Sequence, residues 1–172
     1  KKNNNTIIDL TQLIQDVITL LKNKEDISSE KQIVFKGTTD HLILNGDEEQ
    51  IKQVVWNLCI NALEAMSRGT LTLKLKEVFS FQSGEFQASH RGMVLEVQNE
   101  GCGIALDQID NIYDPFYSSK KNGVGLGLAT VYQIVNRNRG IMDVKSTVGK
   151  GTLFTVFLPD QDSVKPVPMP SH

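Results

Sequence analysis

Three glycines stand at every second position of one short segment, Gly123, Gly125 and Gly127, directly after a polar loop. Glycine can adopt positive φ and lets a ligand come close to the backbone. The apolar residues around and after these glycines have helical spacing, which predicts a helix whose free N-terminal amides face that ligand. A helix N-terminus behind a glycine turn is suited to phosphate, although a glycine run alone can also be an ordinary turn. The apolar residues are Leu126, Leu128, Val131, Ile134 and Val135.

A second segment with binding chemistry runs from Asn99 to Ile104 and contains the glycines Gly101 and Gly103. It follows an alternating apolar stretch, residues 93–97, that predicts a strand. A strand that ends in a polar side chain and a Gly-x-Gly turn can hold the edge of a planar ligand against the backbone.

The third segment is a predicted helix, residues 47–66, with polar side chains three or four positions apart on one face. For an isolated helix, a solvated face would explain such a stripe. Asparagine is a poor helix former, however, and two asparagines one turn apart need a reason. A magnesium ion held by an amide oxygen beside phosphates supplies one. The stripe is Gln50, Gln53, Asn57, Asn61 and Glu64.

These segments, in this order, resemble the ATP-binding catalytic domain of sensor histidine kinases, of the GHKL ATPase class. Residues 57–65 look like that family's N box, 99–104 its G1 box, 114–120 its F box and 123–128 its G2 box. Residues 146–152 and the strand after them are similar to its closing segment. The match spans about residues 5–159, and the Ser-Ser-Lys sequence after Phe116 is closest to the nitrogen-regulation type.

The resemblance implies catalytic and metal-binding roles for four side chains. Asn61 would offer its amide oxygen to Mg²⁺, and Asn57 and Glu64 would hold metal-bound waters or orient Asn61. Lys120 would reach the γ-phosphate of ATP from a mobile lid, about residues 108–122. Asn57, Asn61 and Lys120 are therefore the predicted catalytic residues.

The resemblance also implies the residues that contact the rest of the nucleotide. The family usually has Asp at the adenine site where this chain has Asn99. Because an amide can turn by half a rotation, we expect Asn99 to separate ATP from GTP less sharply than Asp would. The remaining predicted nucleotide contacts are Gly101, Gly103, Ile104, Gly123, Gly125, Leu126, Gly127, Leu128 and Thr152.

Asn57 also bears on the type of reaction. Hydrolytic members of the class carry a glutamate at this place, which activates water, whereas an amide cannot act as a general base. Transfer to another nucleophile is therefore favoured over hydrolysis.

The family's phosphoacceptor histidine has no counterpart in this chain, because the three histidines lack its sequence context and are expected to be ordinary surface residues. The predicted partners are a histidine-bearing dimerisation domain of the same parent protein and a downstream response regulator. Phe116 is either a docking residue for that domain or an ordinary loop anchor. The histidines are His41, His90 and His172.

Composition fits one domain and excludes several other classes. The chain has 172 residues, a net charge of −2 and no basic block, so we expect no nucleic-acid partner. No stretch approaches the roughly 20 apolar residues that span a bilayer, so no direct membrane contact is expected. The two cysteines suggest neither a disulfide nor a zinc site. Because the first residue is Lys, we expect a piece of a longer protein, with this part in the cytoplasm; membrane anchoring of the parent protein is left open.

The elements that must position these residues predict an α+β fold. Helices at 11–22, 47–66 and from 126 onward would cover one side of a mixed, mostly antiparallel sheet in a two-layer α/β sandwich. Residues 80–91 are a predicted loop or hairpin tip. The predicted organisation is a polar tail at 1–5, a catalytic domain at 6–159 and a proline-containing flexible tail at 160–172. The predicted strands are 32–36, 42–44, 70–78, 93–97, 141–145 and 152–158.

Two other functions remain open at this stage. One is a serine/threonine kinase of the anti-sigma type, built on the same domain, against which the Ser-Ser-Lys motif argues. The other is a non-catalytic module that senses nucleotide or docks a partner, which the change at Asn99 raises. Dinucleotide binding is remote, because no strand precedes the glycine run and no acidic residue follows at the expected place.

Overall fold

The chain forms a layer of helices on a layer of strands in the computed structural model, which describes residues 4–24, 29–37, 40–112 and 126–164. The helices in this part of the chain are α1 (Leu10–Lys22), α2 (Glu48–Glu64) and α3 (Leu126–Arg137), with a 3₁₀ helix at Leu106–Asn111. The strands are β1 (Asn5–Asp9), β2 (Lys31–Lys36), β3 (Ile43–Asp47), β4 (Gly69–Val78), β5 (Phe81–Ser83), β6 (Phe86–Ala88), β7 (Gly92–Asn99), β8 (Ile141–Thr147) and β9 (Gly151–Pro159).

The main sheet has five strands in the order β2-β4-β7-β9-β8. β2 pairs with β4 in parallel, and the other three pairs are antiparallel. Alternation places one set of side chains of each strand against the helices. In β4, Leu71, Leu73 and Leu75 are buried, whereas Lys74 and Lys76 are exposed. The predicted two-layer sandwich with a mixed, mostly antiparallel sheet is therefore confirmed.

Aspartate side chains start two of the helices. Asp9 Oδ1 accepts from Gln12 N at 3.1 Å before α1, and Asp47 Oδ1 accepts from Gln50 N at 3.2 Å before α2. Each bond satisfies an amide that has no partner within its helix. The Gln50 side chain extends to the end of α3, where its Oε1 accepts from Nδ2 of Asn138, the residue directly after that helix, at 2.8 Å.

A small second sheet at the start of the chain differs from the sequence prediction. β1 pairs antiparallel with β3, from Asn5 opposite Asp47 to Asp9 opposite Ile43. The predicted polar tail therefore already contributes Asn5 to a strand. Ile8 is buried but Ile7 is 76% exposed, so the alternation is too short to mark a strand.

The chain also remains packed beyond Pro159, where the sequence predicts a flexible tail. Asp160 accepts from Arg91 Nη1 at 2.7 Å and from Asn45 N at 3.1 Å, while Gln161 N donates to Asn45 O at 2.9 Å. Val164 is buried. These partners lie far away in sequence, which is why local composition did not reveal them. The last eight residues, 165–172, lie outside the described part.

The predicted loop or hairpin tip at residues 80–91 is a hairpin, formed by β5 and β6. Its Phe81 ring stacks on Phe157 of β9 with centroids 5.3 Å apart, which covers part of the sheet face away from the helices.

Among the described helices, none is long and apolar enough to cross a bilayer.

Candidate nucleotide site

The polar stripe of α2 faces α3 and not only solvent. Near its start, Gln50 bonds Asn138, which is 5% exposed. Farther along, Asn57 Nδ2 donates to Gly127 O at 3.3 Å. Since the stripe contacts the first turn of α3 and the residue directly after this helix, a purely solvated face does not describe it.

The last two residues of the stripe are more open. Asn61 is half-buried and lies one turn after Asn57, so their side chains share a face. Glu64, the final residue of α2, is exposed. Asn61 is therefore partly accessible and lies one turn beyond Asn57, the residue that contacts the first turn of α3.

Gly127 leaves space at that first turn. A Cβ at this residue would lie 3.8 Å from Asn57 Cβ and 3.9 Å from Asn57 Cγ, ordinary contact distances. Packing within the described part of the protein therefore does not require glycine at this position. This is consistent with a glycine that leaves space for a ligand. Leu126 begins α3, and the Leu128 side chain belongs to the core, so Leu128 can contribute only its backbone to a phosphate site.

The turn after β7 is held from two sides. Gly101 lies against the end of α2, where a Cβ would be 2.5 Å from Ala65 O. Gly103 has φ +77°, and a Cβ there would overlap the backbone of Thr147 and Val148 in the β8–β9 connection. The protein's own packing thus explains both glycines, which the sequence interpretation assigned to close approach of a ligand.

Asn99 has a fixed side-chain orientation. It is 3% exposed, and its Oδ1 accepts from Gly101 N at 2.8 Å. A backbone N–H only donates, so the oxygen of the amide must face it. The half rotation that the sequence analysis assumed would break this buried bond.

Thr152 and Ser146 complete this end of the sheet. Thr152 is 5% exposed, and its Oγ1 is 2.7 Å from Ser146 Oγ. Ser146 Oγ also accepts from Ile104 N at 2.6 Å and donates to Gly151 O at 3.0 Å. Sequence reasoning did not select Ser146 as a site residue. Its place six residues before Thr152, across a tight β connection, is the signal that could have found it.

An open cleft of about 230 Å³ lies at the same end of the sheet. Its lining mixes buried residues such as Asn99 and Thr152 with exposed ones such as Gln98 and Lys145, which alternate to the face away from the helices. The candidate site for the nucleotide base is therefore defined by the hydrogen bonds of Asn99, Ser146 and Thr152, and not by this cleft.

The structure brings the predicted segments together around α2. Asn57 touches the first turn of α3, and Ala65, directly after α2, touches the turn at Gly101. These two points are eight residues apart, about 12 Å along a helix. Four predicted residues, Phe116, Lys120, Gly123 and Gly125, lie outside the described part of the chain, as does most of the predicted lid.

The titratable residues offer little other chemistry. Burial raises the pKa of the Cys59 thiol to about 12, so this residue is a neutral core side chain, while Cys102 is exposed. His41 Nδ1 lies 2.6 Å from Asp9 Oδ2. Within the described residues, no group of three His, Cys, Asp or Glu side chains could hold a metal ion.

Comparison with known proteins identifies the family. Residues 46–162 match the family described as histidine kinase-, DNA gyrase B- and HSP90-like ATPase. The chain therefore belongs to this family, and the predicted resemblance to histidine kinase ATPase domains is confirmed. The nitrogen-regulation type remains a prediction.

Individual relatives agree with this assignment. The chain is 34% identical over 153 residues to sensor histidine kinase ZraS of Salmonella typhi, covering 88% of this chain and 30% of that protein. It is 36% identical over 154 residues to sporulation kinase C of Bacillus subtilis, covering 87% and 33%. The chain thus spans about a third of the length of these relatives.

Solved structures show the same fold. The catalytic domain of histidine kinase ThkA superposes with a TM-score of 0.76 at 22% identity, covering 93% of this chain and 99% of that one. Full-length ShkA in complex with AMPPNP gives a TM-score of 0.76 at 20% identity, covering 92% and 32%.

Proposed function

We propose that this chain is the catalytic domain of a sensor histidine kinase, which transfers the γ-phosphate of Mg-ATP to a histidine on a separate dimerisation domain. One observation carries the choice of transfer over hydrolysis. Asn57, one turn before Asn61, uses its amide nitrogen to hold the first turn of α3 at Gly127. An amide in that role has no basicity with which to activate water.

The residues near Asn61 fit Mg²⁺ bound mainly by phosphates and water. Mg²⁺ takes six oxygen ligands and usually keeps several waters, so one or two protein oxygens suffice. Asn61 offers one amide oxygen, and Glu64 lies one turn further on for a water-mediated contact. Bound there, Mg²⁺ would neutralise charge on the transferring phosphates.

The other proposed contacts follow from the positions of the backbone and the buried polar groups. The amides of Gly127 and Leu128 at the start of α3 would donate to the phosphates. Lys120 would reach the γ-phosphate. Asn99 and Thr152 would contact the adenine beside the turn from Gly101 to Ile104.

The acceptor histidine is proposed to lie in another domain. His41 is paired with Asp9 at the start of α1, and His90 is half-buried two residues before β7. Phe116 is the proposed docking residue for that domain, and a response regulator the proposed next acceptor. A reaction that consumes ATP needs the compartment that holds it, so we expect the cytoplasm.

The decisive experiment supplies radiolabelled ATP to this chain together with the helical phosphoacceptor portion of its parent protein. We expect acid-labile, base-stable label on histidine, and no label when the chain is incubated alone. Calorimetry on the chain alone should show Mg-ATP binding with less than one turnover of hydrolysis per second.

Each of the other possible results of this experiment would favour a different function. Acid-stable label on serine of a partner would establish the anti-sigma type of kinase. Nucleotide binding without transfer to any histidine-bearing partner would establish a sensing or docking module. Absence of Mg-ATP binding would reject all three functions.

A further inference from the structure

Asn99, Thr152 and Ser146 form one row across three strands. Asn99 of β7 lies opposite Thr152 of β9, and Thr152 lies opposite Ser146 of β8. Directly opposed side chains have Cβ atoms about 5 Å apart, so their polar atoms are close neighbours. Both Asn99 and Thr152 are almost completely buried.

The contacts of Ser146 determine where its proton lies. A hydroxyl donates one hydrogen bond and accepts two. Ser146 Oγ accepts from Ile104 N and donates to Gly151 O, because a backbone amide only donates and a carbonyl only accepts. The third contact, 2.7 Å to Thr152 Oγ1, must then be donated by Thr152. No other arrangement satisfies all three contacts.

The same logic fixes what Thr152 and Asn99 can offer to a ligand. Thr152 has used its only proton, so its oxygen can only accept from the ligand. Asn99 Oδ1 already faces Gly101 N and retains one lone pair. The two neighbouring oxygens of this row are therefore both acceptors.

We infer that Ser146 is a positioning residue that sets base selectivity, because it holds the Thr152 hydroxyl as an acceptor. The inference rests on the proposed function and specifies which nucleotide base the site would prefer. An exocyclic amino group, as in adenine, can donate to both oxygens. A carbonyl at the same place, as in a 6-oxopurine, can bond to neither and leaves buried acceptors unmatched.

The test compares ATP with inosine triphosphate, which has the same sugar and phosphates but a 6-oxo group. Calorimetry with Mg²⁺ gives both dissociation constants for the full 172-residue chain and for Ser146→Ala. In the variant, Thr152 can rotate and donate its proton to the oxo group. We expect the preference for ATP to fall about tenfold, the effect of one hydrogen bond of ~1.4 kcal/mol.

Three controls separate selectivity from structural damage. Ser146→Thr keeps a hydroxyl and should keep the preference, while Thr147→Ala, next along β8 with an exposed side chain, should change nothing. If Ser146→Ala does not fold, Thr152→Val takes its place, because removal of the acceptor must also reduce the preference.

The outcomes distinguish this inference from the proposed function. An unchanged ATP-to-inosine ratio in folded Ser146→Ala or in Thr152→Val overturns the inference alone. Failure of the wild-type chain to bind ATP overturns both. Equal weakening of both nucleotides, with no change in their ratio, shows a purely structural role for Ser146 and also overturns the inference.

Discussion

The two ends of the candidate site are built differently. The base end is defined as the turn 99–104 with Ser146 and Thr152. Its side chains Asn99 and Thr152 are buried, and it is connected by hydrogen bonds of 2.6–3.0 Å. The phosphate end, defined as Asn57, Asn61 and the first turn of α3, has one described side-chain bond across the two helices, at 3.3 Å. The comparison indicates that the base end is complete before ligand binds, whereas the phosphate end has room left for the ligand.

A pair of glycine variants should show the largest contrast between the two ends. Gly103→Ala forces a side chain into the left-handed region at φ +77° and into the backbone of Thr147. We expect a loss of about 3 kcal/mol in the free energy of unfolding, measured with denaturant.

The matched variant is Gly127→Ala at the phosphate end. Its Cβ meets only ordinary contacts with Asn57, and alanine favours the helix, so stability should change by less than about 1 kcal/mol. Binding of Mg-ATP should nevertheless weaken, because the methyl group occupies ligand space. Comparable losses of stability in both variants would remove the contrast.

Asn61→Ala should eliminate function without affecting the fold. Removal of the proposed metal ligand should abolish the Mg²⁺-dependent tightening of ATP binding and reduce histidine transfer at least ~100-fold. Gln53→Ala, an exposed position on the same helix, is the control. Transfer at the wild-type rate in Asn61→Ala would mean that this part of the stripe is only a solvated face.

Asn57→Ala tests the weaker link between the helices. The bond to Gly127 is long and only partly buried, so its loss should cost about 0.5–1 kcal/mol of stability. Gln50→Ala breaks the shorter bond to the buried Asn138 and should cost more. Equal costs in the two variants would show that both ends of α3 are held alike.

Asn99→Asp tests whether the base end is preorganised. Either side chain can accept from Gly101 N, so the ratio of ATP to GTP affinity should change by no more than about threefold. A tenfold gain in selectivity for the aspartate would show that the wild-type amide does rotate, as its sequence context alone suggested.

Thiol labelling should perturb the protein least, because it uses the chain without any substitution. Burial raises the pKa of Cys59 above its ordinary value to about 12, so this thiol stays protonated and unreactive through pH 9. Native protein should therefore react at one thiol, the exposed Cys102 in the base-end turn, and denatured protein at two. Labelling of both thiols in the native state at pH 8 would contradict the buried position of Cys59.

The elements with long, regular patterns were predictable from sequence. The clean alternation of β4 and the helical spacing of α1 and α2 placed the ends of these elements within two residues of the observed ones. β1 was missed because only Ile8 marks its inner face, and the packing of Asp160 was missed because its partner Arg91 is 69 residues away.

In the candidate site, too, some features were predictable from the sequence and others were not. The residue types of Asn57, Asn61 and Asn99 were readable from their motifs. The orientation of Asn99 depends on a backbone amide two residues later, and the importance of Ser146 depends on three strands meeting. Sequence shows which groups are present, but only the register of the strands shows which protons are already in use.

The contacts of Asn45 have a mechanical consequence for any longer protein. Asn45 lies opposite Ile7 of β1, and its carbonyl accepts from Gln161 N on the chain that leaves β9. The entering and leaving segments thus flank one strand, about 10 Å apart at the usual strand spacing. A segment attached before β1 and another attached after Val164 would meet the domain at one corner. Rotation of the domain about that corner would move α2 and α3 together, because both helices pack into the same core.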